Sequence, residues 1–192
     1  MKRLPSTVVF VLLAAGCAQT ASDGGSALAR EGATYTQAAK REYDLALSAM
    51  QSGDYAKAVV ILEGIGVENG SHAGALTNLG IAYKHLDRLE NAEDALRRAV
   101  TADPSNVVAY NELGLLYRRE GQFAASRDAY ETALKLRPDY GPSHLNLGIL
   151  CELYLQDSEC ALRHYERYVL LAGSDDTPVP AWISALRQQE LQ

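Results

Sequence analysis

Apolar and small residues return along this chain with a 34-residue phase. The clearest unit, 107–140, carries Tyr110, Leu113, Gly114, Tyr117, Gly121, Phe123, Tyr130, Ala133 and Pro138. One period earlier, 73–106 carries Leu76, Leu79, Gly80, Tyr83, Leu89, Ala92, Leu96, Ala99 and Pro104. Another step back, 39–72 carries Leu45, Ala46, Gly53, Tyr55, Ala58 and Leu62. Forward from 140 come His144, Leu147 and Gly148, then Ala161 and Tyr165 after a one-residue slip in the turn. Each unit predicts two helices joined by a short turn. Asp103-Pro104 and Pro138-Asp139 end the second helix of their units, because proline cannot continue a helix and restricts the residue before it. Ser105 and Asn106 are placed to cap the next helix. Gly80, Gly114 and Gly148, facing Ala92, Ser126 and Ala161, allow the two helices of a unit to approach closely. Tyr83, Leu96, Tyr117 and Tyr130 are expected to fill the space between units. One helix pair cannot bury its apolar face alone, so successive pairs must share a core.

These positions resemble the tetratricopeptide repeat (TPR), whose pattern is W-x2-L-G-x2-Y…A-x3-F…P. The resemblance runs from residue 39 to about 172. It implies an all-α helix-turn-helix solenoid over 35–173, with repeats 39–72, 73–106, 107–140 and 141–173. The first unit has Gly70 where the pattern has proline, and the fourth has Cys151 at the tyrosine position. After Gly173 the chain reads Ser-Asp-Asp-Thr-Pro, a helix-start signal. Trp182, Ile183 and Leu186 then share one helical face, so 174–192 reads as a C-terminal capping helix over the open end of the array. The other reading is a docking helix anchored on Trp182.

The N-terminus has a different pattern. Lys2 and Arg3 precede an apolar run over 7–15, which is too short to span a bilayer, for which about 20 residues are needed. Ala14-Ala15-Gly16 follow, then Cys17, the order of a secretory signal peptide. A cysteine directly after small residues resembles the bacterial lipobox, here with Ala14 where leucine is commoner. The resemblance implies a lipoprotein signal over 1–16, cleavage before Cys17 and acylation of Cys17, with palmitate-type chains giving the membrane anchor. Ala18 and Gln19, rather than aspartate, imply sorting to the outer membrane, facing the periplasm. An ordinary signal peptide with an incidental cysteine is the alternative. Residues 17–34 are small and polar, with Gly24-Gly25-Ser26, and read as a flexible tether reaching about 20–25 Å.

Composition narrows the chemistry. The net charge is −6, so nucleic acid is an unexpected partner. Loss of residues 1–16 would remove Lys2 and Arg3 and leave a still more acidic body, which anionic lipid would repel. His72, His85, His144 and His164 show no metal-binding spacing, no phosphate loop or nucleophile elbow occurs, and neither a metal nor a cofactor is expected. His144 reads as core. Cys151 and Cys160 flank the last inter-helix turn, and in an oxidising compartment they could bond, if their Cα atoms approach to about 4.4–6.8 Å. Two buried inert thiols, or a redox-active pair, are the other readings.

In the repeat that this chain resembles, the first helices line a concave groove. The ninth positions are Leu47, Ile81, Leu115 and Ile149, an apolar stripe. Neighbouring groove positions are Tyr43, Met50, Thr77, Lys84, His85, Asn111, Arg118, Arg119, Leu145, Glu152 and Leu153. Apolar anchors beside Lys84, Arg118 and Arg119 suit an amphipathic helix or extended peptide with acidic residues. Alternatively the stripe is core. The two-carboxylate clamp of chaperone-binding relatives is not reproduced. Asn78 fits one of its sites, but Tyr43 and Leu47 stand where Lys and Asn are needed. The resemblance implies a non-enzymatic scaffold, lipid-anchored at Cys17, that recruits envelope proteins or peptide segments. Lipoproteins of this kind serve type IV pilus and secretin assembly as pilotins, accompany TonB–ExbB–ExbD-type systems, or adapt peptidoglycan-remodelling enzymes. A thiol–disulfide enzyme using Cys151 and Cys160 is the rival of another class.

Overall fold

The computed structural model describes residues 37–69, 72–172 and 178–189. Cys17, the 1–16 leader and the 17–34 tether lie outside the described residues, and so do parts of the turns at 70–71 and 173–177. The described residues form nine helices and no strand: α1 (Gln37–Gln51), α2 (Tyr55–Asn69), α3 (Ala73–His85), α4 (Leu89–Ala102), α5 (Val107–Arg119), α6 (Phe123–Leu136), α7 (Gly141–Leu153), α8 (Ser158–Ala172) and α9 (Val179–Gln189). None of these helices is long and apolar enough to cross a membrane.

Each helix packs on the next, and the pairs α1–α2, α3–α4, α5–α6 and α7–α8 are the tightest. Alternate helices are not equivalent. α3 touches α5 and α5 touches α7, whereas α2, α4, α6 and α8 make no comparable contact with one another. α3, α5 and α7 therefore crowd together on the inner side of the curve, and α4 and α6 splay outside. This is the curvature of a helical solenoid.

Sequence explains the close pairs. A Cβ on Gly80 would collide with the Leu96 side chain, one on Gly114 with the Tyr130 ring, and one on Gly148 with the Tyr165 ring. Ser126 adds a buried bond, its hydroxyl donating to the Gly114 carbonyl at 2.7 Å. Leu96 and Tyr130 thus bear first on the glycine of their own unit, not only on the next unit as the sequence suggested. Leu45 differs more. As a repeat position it was expected inside, but it is 58% exposed. It lies on the first described helix, with no earlier helix among the described residues to cover it.

The turns repeat as well. Gly53, Asp87 and Gly121 occupy the same place in successive turns, all with φ between 61° and 80°. In the fourth unit the turn spans 154–157 instead of the shorter 86–88 and 120–122, and Gln156 takes the left-handed conformation at φ 53°. Aspartate or asparagine caps three helices. Asp54 accepts from the Lys57 amide, Asn106 from the Ala109 amide and Asp157 from the Cys160 amide, at 3.0–3.1 Å.

The apolar interior divides into two clusters. One runs from Ala46 through α2–α5 to Ala129, and the second begins at Tyr130 and takes in α7, α8 and α9. α9 buries Val179, Ile183 and Leu186, spaced as one helical stripe. Trp182 sits at the edge of that stripe, half-buried, with its ring 5.5 Å from that of Tyr165.

The concave face as a candidate functional site

Leu47, Ile81, Leu115 and Ile149 are all half-buried, one on each of α1, α3, α5 and α7. The helical geometry that buries Leu79, Leu113 and Leu147 in the interior leaves these positions, two residues on, at the inner rim. They are neither closed core nor isolated surface residues.

Polar bonds between repeats lie beside this row. Asn78 donates to the Tyr43 hydroxyl at 2.7 Å, and Asn146, one repeat-pair further on, donates to Asn111 Oδ1 at 3.0 Å. Ser143 Oγ also donates to Asn111 Oδ1, and Asn106 donates to Thr77 Oγ1. Thr77 and Asn111 are 4% and 3% exposed. So three of the expected docking residues, Tyr43, Thr77 and Asn111, hold repeats together. A buried side chain already bonded to its neighbour has little surface left for a ligand. His85 is also drawn away, stacking on the Tyr55 ring with centroids 4.0 Å apart. Met50 and Leu145 are half-buried and pack against the first and second apolar clusters.

The cations divide. Lys84 is ion-paired with Glu112, and Arg119 with Asp87. Arg118, half-buried on α5, has no ion-pair partner among the described residues, and its Nη1 is buried without a hydrogen-bond acceptor. The Tyr130 hydroxyl is the other buried side-chain atom without a partner among the described residues. Burial pushes the Tyr130 phenol up to about 12, against a smaller opposing effect of the Arg118 charge.

Two clefts open on this stretch. Lys84, Leu115, Arg118, Arg119 and Tyr154 line one of about 340 Å3. Ile149, Glu152, Leu153, Tyr165 and Trp182 line the next, of about 300 Å3. Leu153 is 64% exposed at its mouth. In this second cleft Tyr165 donates to Glu152 Oε2 at 2.6 Å, and burial followed by that carboxylate raises the Tyr165 phenol strongly. The groove list read from sequence lacked Tyr154, Tyr165 and the inner side of Trp182. Tyr154 lies just past α7, outside the repeat positions that mark a groove. The sequence places Trp182 on the terminal helix, as a cap residue or as the anchor of a docking helix, and not at the groove.

Cys151 and Cys160 are joined by a disulfide with Cα atoms 5.8 Å apart. Both are buried, and Asp157 lies beside them in an ion pair with Arg127 at 3.5 Å. With both sulfurs bonded to each other, this group offers no thiolate to a metal. On the far side of the same unit His144 Nε2 bonds the Pro138 carbonyl at 3.0 Å, and its Nδ1 lies 3.0 Å from Nδ1 of His164. A carbonyl only accepts, so neutral His144 carries its proton on Nε2 and accepts at Nδ1 from His164. Burial lowers both imidazoles, His164 to about 4, helped there by the His144 ring and the charges of Arg163 and Arg127.

Comparison with known proteins agrees with this geometry. Family models described as tetratricopeptide repeat match residues 43–107 and 107–140. The human cell division cycle protein 16 homolog is 36% identical over 84 residues, which is 44% of this chain and 14% of that protein. The chain therefore spans only a small part of the length of this curated relative. Among solved structures, TTC0263, a thermophilic TPR protein in Thermus thermophilus, superposes with a TM-score of 0.65 at 21% identity, covering 79% of this chain and 82% of that one. The first TPR of Spaghetti (RPAP3), bound to the HSP90 peptide SRMEEVD, gives 0.58 at 23% identity, over 62% of this chain and 94% of that one. With the two family matches running through residues 43–140, half of the sequence, the chain belongs to the tetratricopeptide repeat family.

Proposed function

We propose that this protein is a non-catalytic scaffold that holds a segment of another protein along its inner face. The observation that carries this reading is the half-buried row Leu47, Ile81, Leu115 and Ile149, one residue per repeat. A periodic apolar row at the rim of a groove is the complement of a peptide with regularly spaced apolar anchors. The peptide held by the first TPR of Spaghetti supports the capacity of the fold for such ligands. Here Tyr43 and Leu47 replace the clamp residues, so the mode of binding differs.

In the same reading residues 1–16 are a lipoprotein signal and Cys17 carries the acyl anchor. The 17–34 tether then lets the array work at the periplasmic face of the outer membrane. Lys2, Arg3, the 7–15 apolar run and the small residues before Cys17 support this. The partner belongs to an envelope machine, of the TonB–ExbB–ExbD type or the type IV pilus and secretin type, with a peptidoglycan-remodelling enzyme as the alternative. Burial of Cys151 and Cys160 counts against the thiol–disulfide enzyme, because exchange needs an accessible sulfur.

Photo-crosslinking in living cells tests the reading, with the probe at Ile81 or Leu115 and controls at Arg97 and Arg163 on the outer helices. A discrete adduct formed only from the inner face is expected. Equal yield from both faces would remove the groove from the argument. Cys17→Ser separates the anchor from the groove: it is expected to abolish palmitate incorporation and release the protein from membranes without changing its thermal unfolding.

A further inference from the structure

We infer that the C-terminal half of the groove reads a two-residue signature in its partner. An acidic side chain is held at Arg118, and a large apolar side chain fills the cleft beneath Trp182. This deepens the scaffold reading and rests on it.

The charge pattern points to the acid. Of the three cations around the first cleft, Lys84 and Arg119 are already matched by Glu112 and Asp87. Arg118 is not matched among the described residues, and one of its guanidinium nitrogens is buried without an acceptor. A guanidinium partly withdrawn from water and without a counter-ion is costly, and a carboxylate arriving in the cleft meets the side of Arg118 that lines it and supplies that counter-ion through charge-assisted hydrogen bonds. The protein as a whole is acidic, at −6, so its long-range field repels polyanions. A local unpaired arginine in such a field selects one or two carboxylates in a peptide, not a nucleic acid or an anionic membrane.

The second cleft supplies the other half. Ile149, Leu153, Tyr165 and Trp182 make its walls mainly apolar and aromatic. Its carboxylate, Glu152, is bonded to Tyr165 and would repel a second acid. The ligand is thereby oriented, with its acid toward α5 and its apolar residue toward α9. Leu115 and Ile149 belong to successive inner helices, whose axes lie about 8–10 Å apart in packed pairs. In an extended segment rising about 3.3 Å per residue, that separation places the two anchors about three residues apart.

The test is selection of a displayed random 12-residue peptide library on the full chain, followed by affinity measurement with the best peptide, fluorescein-labelled. The expected consensus has one Asp or Glu at a fixed short distance from Trp, Phe or Leu. Arg118→Gln is expected to weaken that peptide by about tenfold or more. Changing the peptide's acid to its amide is expected to cost the same, and the two changes together little more than either. Arg118→Lys should recover part of the loss, and Trp182→Ala should weaken the peptide through the other anchor. Melting curves of each variant show whether the fold persists. Selected peptides that lack an acid, or ignore Arg118→Gln while losing affinity in Ile81→Ser, would overturn the signature but keep the groove. Peptides indifferent to Ile81→Ser and Leu115→Ser, or no enrichment at all, would overturn both.

Discussion

The second and third repeats and the fourth reach the same helix-pair geometry by different means. In α3–α4 and α5–α6 the glycine contacts with Leu96 and Tyr130 sit beside short turns, 86–88 and 120–122. In α7–α8 the glycine contact is kept at Gly148–Tyr165, but the turn is longer and a disulfide spans it. A histidine pair stands at its other side. The apolar interior divides within the third unit, with Ala129 in one cluster and Tyr130 in the cluster of the fourth unit. The lesson is that one glycine contact fixes the pair, while the turn and the flanks can be rebuilt. The rebuilt unit is also the one whose aromatic residues form a cleft with α9.

The comparison can be broken most severely at the disulfide. Cys151 and Cys160 are nine residues apart in sequence. Loop-closure entropy for so short a loop predicts that Cys151→Ala with Cys160→Ala lowers stability by about 3 kcal/mol, read by chemical denaturation. Hydrogen exchange should then rise in α7–α8 first and leave α3–α4 protected. Uniform loss along the chain would mean that the repeats are not separable in this way.

The shared contact is probed by Gly114→Ala and Gly148→Ala. Each Cβ meets a buried tyrosine ring, so both should destabilise by about 2 kcal/mol, and to similar extents. A much smaller effect at Gly148 would show that the longer turn lets α8 move away.

Acid distinguishes the two regions by a smaller amount. His144 and His164 are held neutral in the fold, with His164 lowered from 6.5 to about 4. The unfolded chain therefore binds more protons across that window. Stability is full above 6.5 and falls as the pH drops toward 4. After allowance for partial solvent screening the loss is about 1–2 kcal/mol. His164→Gln should flatten this part of the pH profile, while the corresponding profile of Arg97→Gln should follow the parent.

The smallest effect belongs to the turns. Gln156 adopts a left-handed conformation that Gly53 and Gly121 adopt without steric penalty. Gln156→Gly should stabilise by about 0.5–1 kcal/mol in a melting experiment. Gly121→Ala should destabilise by a comparable amount.

The sequence alone determined the repeat. A 34-residue phase of glycine, alanine and aromatic residues is a local and periodic signal, and it specified the helix pairs, the glycines at which they approach and the turn positions, while the side chains that meet those glycines were left to the tertiary structure. It also brought the stripe Leu47, Ile81, Leu115 and Ile149 into view, because equal steps along a solenoid place residues on one face. Only the tertiary structure decided which groove residues remain available. Tyr43, Thr77 and Asn111 are occupied by neighbouring repeats, and Lys84 and Arg119 are neutralised by Glu112 and Asp87, from a neighbouring repeat in each case. Arg118 is left unmatched, and Tyr154 and Trp182 enter the site from outside the repeat pattern. Those outcomes depend on which side chains meet across helices 28 to 35 residues apart in sequence, and a single chain's periodicity does not encode the partner of any one charge.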